Sequence, residues 1–258
     1  MKQRYFFKVI FLIFANFLNA QNAFRFTYEY SYSPDSTKIE NKIKETYFLD
    51  FINNKSLFYN IKHKSNDTLF IKDNYVYSDF DYRILKNTSD DVLIEYNNLS
   101  EFIYSIEGRT NFQWSINSRL DKILNFNAQQ AECHFEGRKW EVWFTTDLPF
   151  QDGPYKFNKL PGLIIKASDI TGTHIFNLIA IEPLQKELII FPQKSIIISE
   201  VKYRKLLSDY RNNSQKELMN IEITSTEDGL SNEEFKNKMK EYYRRKNKKN
   251  NNFINLKN

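Results

Sequence analysis

Residues 24–32, FRFTYEYSY, alternate without a break: Phe24, Phe26, Tyr28, Tyr30 and Tyr32 fall on one side, Arg25, Thr27, Glu29 and Ser31 on the other. Successive side chains of an extended chain point to opposite faces, so this period of two predicts a half-buried β-strand. Short β-type runs follow: ETYFLDFI, SLFYNIK, TLFIKD, YVYSDFDYRIL, DVLIEY and EFIYSIEG. Between them stand Asn-Asn-Lys, Ser-Asn-Asp, Lys-Asp-Asn and Asn-Thr-Ser-Asp, turn formers that tolerate left-handed backbone and bond to it through their side chains. A chain with only 6 Gly and 6 Pro in 258 residues can therefore still turn often. Regularly spaced short strands predict an antiparallel meander and not alternating β and α units.

The second half continues in the same style. SRLDKILNF, QAECHFEG and RKWEVWFTT follow, with Gly137-Arg138 as a hairpin turn, then LIIKASD and HIFNLIAIE about a turn at Thr171-Gly172. In the strand RKWEVWFTT, Trp140, Val142 and Phe144 face one way, and Glu141, Trp143 and Thr145 the other. Residues 199–213 change character, placing Val201, Leu206 and Leu207 at helical spacings between charges. Ser231-x-x-Glu234 is a capping-box signature and opens a terminal helix that frays into a solvated basic tail. The expected fold is mainly β: one curved antiparallel sheet or incomplete β-barrel, like a lipoprotein-carrier half-barrel in outline, with C-terminal helix. The expected organisation is a leader over 1–20, one domain over 21–230 and a helical or disordered tail over 231–258.

The first twenty residues carry Lys2, Arg4 and Lys8 ahead of an apolar run from Val9 to Phe14, and end on Asn19-Ala20. This is the layout of a secretory signal, cleaved to leave Gln21 first. From Val9 to Ala20 the segment is shorter than the roughly 20 apolar residues a spanning helix needs. Export would permit disulfides, but Cys133 is the only cysteine, so no intramolecular bridge can form and the fold must rest on its core. Of 37 basic and 32 acidic residues, the leader holds 3 basic and none acidic, and residues 231–258 hold 9 and 3. The body keeps 25 basic and 29 acidic residues, a balance that argues against a nucleic-acid partner. The basic tail could touch acidic lipid at a membrane surface; the competing reading is a solubilising end.

The stretch GPYKFNKLPGLI, residues 153–164, concentrates two glycines and two prolines between apolar segments. Gly153-Pro154 signals one turn. Leu160-Pro161-Gly162 signals a second, with proline at its second position and glycine where positive φ is expected. Around it the chain resembles the signature of the bacterial GLPGLI family. The matching residues are Ala131, Phe135, Gly137-Arg138, Trp140 to Thr145, Asp147-Leu148-Pro149, Gly153-Pro154-Tyr155-Lys156-Phe157 and Leu160 to Ile164, including Leu163. Two positions depart from it: Lys159 stands where the family has the first glycine of its name, and Ala128 stands where it often has a cysteine. The resemblance implies an exported protein of the Gram-negative envelope, periplasmic or associated with the outer membrane. It implies a location and no mechanism.

The site candidates divide into two sets. A strand apolar on both faces is either covered twice or lines a cavity, which makes Trp140, Trp143, Tyr155, Phe157, Leu160, Pro161 and Gly162 candidates for binding an apolar ligand or an outer-membrane protein partner. The competing reading of these aromatics is core. The second set is metal-binding or acid–base: Glu132, His134 and Glu136 share one strand face, and Asp147 could join His134 and Glu136 in a hydrolase. Against it, no G-x-S-x-G or H-E-x-x-H is present, and no cofactor is implied. The expected function is a non-enzymatic binding or accessory role, with a periplasmic metal-dependent or acid–base hydrolase as the alternative.

Overall fold

The computed structural model describes residues 23–62, 82–99, 102–109, 111–184, 195–219 and 251–255, with 231, 233–234, 236–238 and 241. The expected leader, the runs TLFIKD and YVYSDFD, His63 and residues 242–250 lie outside the described residues. The strands are β1 Ala23–Tyr32, β2 Ile43–Ile52, β3 Lys55–Asn60, β4 Arg83–Asn87, β5 Val92–Leu99, β6 Phe102–Gly108, β7 Ser115–Ile123, β8 Phe126–Phe135, β9 Arg138–Thr145, β10 Leu163–Asp169, β11 His174–Pro183 and β12 Ile196–Ile197; helix α1 spans Glu200–Met219.

All belong to one 12-stranded open sheet in the order β12-β6-β5-β4-β3-β2-β1-β11-β10-β9-β8-β7. Neighbours are antiparallel, except β12 beside β6. The fold is mainly β as the alternation predicts, but it is not a simple meander. β11 returns to pair with β1, from Phe24↔Pro183 to Tyr32↔His174, so the first strand lies mid-sheet.

The chain length between β6 and β7 fixes the curvature. These strands stand ten places apart in the sheet. If the sheet were flat they would be roughly 48 Å apart at ordinary strand spacing. The step from Gly108 to Ser115 can reach at most roughly 25 Å. The sheet must therefore curl, bringing its two arms toward each other without closing.

The inner face is aromatic. Phe26, Tyr28, Tyr30 and Tyr32 of β1 are at most 1% exposed and share one cluster with Trp140, Phe144 and Phe176. The polar side of β1 is also partly covered: Arg25 meets Asp50 through two bonds of 2.7 Å and stacks over Phe48 at 4.2 Å. Three two-residue hairpins carry positive φ at both positions, at Asn53-Asn54, Leu124-Asn125 and Glu136-Gly137. The first follows from its Asn pair. The second splits SRLDKILNF into two strands, because Leu124 adopts a conformation its side chain does not advertise.

Two expectations about the end of the chain need correction. In α1, Tyr203, Leu206, Leu207 and Tyr210 pack against Leu99, Tyr104 and Ile106 of β5 and β6, whereas Val201 is 79% exposed. Residues 252–255 are not solvated as expected: Asn252, Ile254 and Asn255 are buried, and the backbone N–H groups of Asn251 and Asn252 donate to Pro34 O. The capping box forms, with Glu234 accepting from Ser231 N and Oγ at 3.0 and 2.7 Å.

Candidate functional site

The segment between β9 and β10 lies against the inner face of the curled sheet. Leu148, Tyr155, Phe157 and Leu160 belong to the main aromatic cluster, the last three at 1%, 0% and 1% exposure. Phe157 packs edge-on to Trp140 at 4.9 Å and touches Phe112 and Trp114 of the β6–β7 crossing. These side chains pack into the inner-face cluster. Trp140, Tyr155, Phe157 and Leu160 are therefore core rings and anchors, correcting the expectation that they line an open cavity.

Charged pins hold this plug to both arms. Lys86 of β4 pairs with Asp152, side chains 1% and 0% exposed, and donates to Gly153 O at 2.6 Å and Phe157 O at 3.4 Å. Burial lowers the Lys86 pKa, and the Asp152 charge opposes that shift. Lys156 meets Glu95 of β5 at 2.5 Å and Glu136 of the β8–β9 turn at 2.7 Å. Burial alone would lower its pKa, but the two carboxylates raise it, so Lys156 stays charged. The Tyr155 hydroxyl donates to Glu136 at 2.6 Å; burial first, and that carboxylate second, hold it well above the ordinary phenol range. Lys159 reaches Asp91 at 2.8 Å, and Trp114 Nε1 donates to Asn158 O at 2.9 Å.

Backbone demands in the plug fall on unexpected residues. Positive φ belongs to Tyr155 (54°) and Lys159 (71°), not to Gly162. Gly162 is required by closeness instead: a Cβ there would stand 2.0 Å from Thr145 O. Gly153 is similar, since its Cβ would be 2.8 Å from Ile164 Cβ. Pro161 and Gly162 thus form the tight exit into Leu163 and Ile164, both fully buried in β10. Asp147, before Leu148-Pro149, accepts from Asn127 N at 3.1 Å, and Pro154 O accepts from Phe157 N at 3.2 Å.

Arg138 gathers the end of the chain. Its guanidinium meets Asp169 at 2.9 Å, Asn252 Oδ1 at 2.6 Å and Ile254 O at 3.1 Å, and also holds Phe253 O. Burial lowers the Arg138 pKa, with Asp169 opposing. Burial would raise the Asp169 pKa, yet bonds from Thr171, His174 N and Thr173 bring it below the usual carboxylate value. His174, bonded to Tyr30 Oη at 2.6 Å, is pushed down to about 3 by burial and then by the Arg138 charge, so it is neutral. Cys133 is buried, and burial pushes its thiol up to about 12.

The metal or acid–base set does not converge. His134 is exposed near the end of β8, Glu136 is tied to Tyr155 and Lys156, and Glu132 pairs with Lys139 at 2.8 Å. Asp147 sits beside Asn127, seven strand residues before His134, a separation of roughly 23 Å. Among the described residues no three His, Cys, Asp or Glu side chains group as a metal site.

The open surface lies at the sheet edge. Within the described residues β7 has a strand neighbour on one side only. Ile116, Leu120 and Leu124 on and beside it are 48%, 72% and 51% exposed. A groove of about 370 Å³ adjoins it, lined by Leu120, Asp121, Asn127, Gln129, Phe144 and Thr146 among others. Trp143 is covered from outside by Arg119, whose guanidinium lies 5.7 Å from its ring centre. Sequence reasoning missed this edge and the Lys86 pin, and it placed Arg138 in a turn with Gly137, whereas the turn is Glu136-Gly137 and Arg138 opens β9. Lys86 did leave a signal, sharing the apolar face of RILKN with Ile84.

No family model matches the chain, and no curated protein does. Solved structures do resemble it. PNGF-II in a P21 crystal form superposes with a TM-score of 0.57 at 17% identity, covering 74% of this chain and 34% of that one. PNGF-II in a C2 form gives 0.56 at 16%, covering 73% and 33%. The chain thus spans about a third of the length of PNGF-II, and what the two share is the fold.

Proposed function

We propose that this chain is an exported envelope protein of the GLPGLI type with a non-enzymatic binding or accessory role, and that it binds a protein partner along β7. The leader pattern and the 131–164 signature support the location. One observation carries the binding mode: Leu148, Tyr155, Phe157 and Leu160 are buried in the inner-face cluster, while an edge strand with exposed Ile116, Leu120 and Leu124 lies beside a groove. Unpaired N–H and C=O groups along an edge can accept an added strand, with alternate side chains giving specificity. The test is a photo-crosslinking residue in place of Leu120, with a control at Ile170, also a largely exposed hydrophobic residue, in the native envelope. A discrete protein adduct at 120 and none at 170 is expected. No protein adduct at 120 would overturn the proposal.

A further inference from the structure

Residues 251–255, NNFIN, are held in place without joining the sheet or a helix. Asn252 is gripped at both ends: its Oδ1 accepts from Arg138 Nη2 at 2.6 Å, and its Nδ2 donates to Ser33 O at 2.7 Å. Ile254 is 1% exposed and enters the main apolar cluster. Other bonds take only the main chain of the segment. Arg138 Nε donates to Phe253 O and Ile254 O at 3.2 and 3.1 Å, and Pro34 O accepts from the N–H groups of Asn251 and Asn252. The groove therefore selects an asparagine followed two residues later by an apolar side chain, and Phe253 between them is half-buried.

The walls of this groove brace one another without the segment. Ser33 N donates to Thr173 O at 2.9 Å, and Asp169 fixes the Arg138 guanidinium at 2.9 Å. Asp169 is itself set by the N–H groups of Thr173 at 2.7 Å and His174 at 2.9 Å. A site organised in advance loses little freedom on binding. Vacating it would take a bond each from Arg138 Nη2, Ser33 O and Pro34 O and would uncover the apolar pocket under Ile254. An open groove thus favours any segment that restores those bonds.

None of these bonds depends on which chain supplies the segment. The side-chain bonds that hold it span from 114 to 219 residues of sequence. Residues 220–250 separate Asn251 from the end of α1. What the covalent connection adds is effective concentration. A second copy carries the same segment and the same braced groove, so two chains can fill each other's grooves with identical contacts. Exchange of identical elements between protomers is a low-cost route to a dimer, because it adds contacts without requiring a new surface.

We propose that the Arg138 groove is a peptide-docking site for an Asn-x-Ile segment, and that it takes residues 251–255 of a second copy, joining two chains by exchange. This is independent of the β7 edge. The test is sedimentation of the chain lacking residues 1–20, with far-UV circular dichroism to verify folding. Arg138→Ala disables the groove and keeps the segment; N252A/I254A keeps the groove and disables the segment. Mixed, the two variants should form a complex that neither forms alone, and an excess of a synthetic peptide of residues 250–258 should dissolve it. A mixture that sediments as monomers, or a complex that the peptide leaves intact, would overturn the proposal. A second measurement needs no altered protein and decides the matter if a variant does not fold. The same peptide, labelled, should bind the wild-type chain saturably, in competition with its own segment. Its Asn252→Ala version should bind at least about tenfold more weakly, since two hydrogen bonds are lost, one of them to a guanidinium. No saturable binding, or equal binding by both peptides, would also overturn it.

Discussion

Replacing Lys86 by methionine removes the pin between the plug and β4 while keeping most of its volume. Asp152 is 0% exposed, and its carboxylate would lose its cationic partner; Gly153 O and Phe157 O would lose a donor as well. Breaking a buried pair in this way costs ~3–5 kcal/mol, because a bare charge is left behind. Against a total stability of about 5–15 kcal/mol for an ordinary domain, that is a large fraction. In K86M/D152N the charge is gone, and asparagine keeps an oxygen for the Gly153 N–H that Asp152 accepts at 2.7 Å. The double variant should therefore recover to within about 2 kcal/mol of wild type. Urea unfolding followed by tryptophan fluorescence reads both, since Trp140 lies in the same cluster as Phe157. A loss under 1 kcal/mol in K86M, or a double variant as unstable as the two singles summed, would refute a buried pin.

Other expectations follow from the same geometry. His174 titrates near 3 when folded and near 6.5 when free, so its contribution is fully present above pH 6.5 and is lost as pH falls toward 3. The slope is about 1.4 kcal/mol per pH unit, and the difference in stability between wild type and His174→Asn, measured across that window, should show it. Lys159→Gly should stabilise by about 0.5–1 kcal/mol by relieving a positive φ, less the small contribution of its exposed pair with Asp91. Gly162→Ala should lower the melting temperature steeply, because its Cβ would collide with the Thr145 carbonyl. Arg138→Ala should release residues 251–255, detected as protease cleavage near Asn252 that wild type resists.

The inner face was legible because one residue type repeated at period two: Phe26, Tyr28, Tyr30 and Tyr32 are core, as their alternation requires. The return of β11 to β1 was not, since it depends on pairing across about 150 residues, a long-range choice that local pattern does not encode. In the plug, the scarce Gly and Pro marked the right place for the wrong reason. Strain sits on Tyr155 and Lys159, where tertiary bonds to Glu136 and Asp91 hold conformations that L residues otherwise avoid. The tail misled because Asn and Lys look solvated by composition, while Asn252 in fact meets Arg138 and Ser33 O through the fold. The edge at Leu120 was hidden inside SRLDKILNF, where Asn125 is the only turn former at the hairpin and Leu124 beside it gives no signal.

Among the described residues, Leu148, Gly153 to Phe157 and Leu160 between β9 and β10 are packed into the inner face of the sheet. Amide hydrogen exchange tests it directly. Phe157 N donates to Pro154 O, Lys159 N to Gln151 O, Leu163 N to Leu148 O and Ile164 N to Asp152 O. Peptides covering 153–164 should exchange as slowly as those of β9 and β10. Exchange as fast as that of the exposed hairpin turn at Leu124-Asn125 would contradict it.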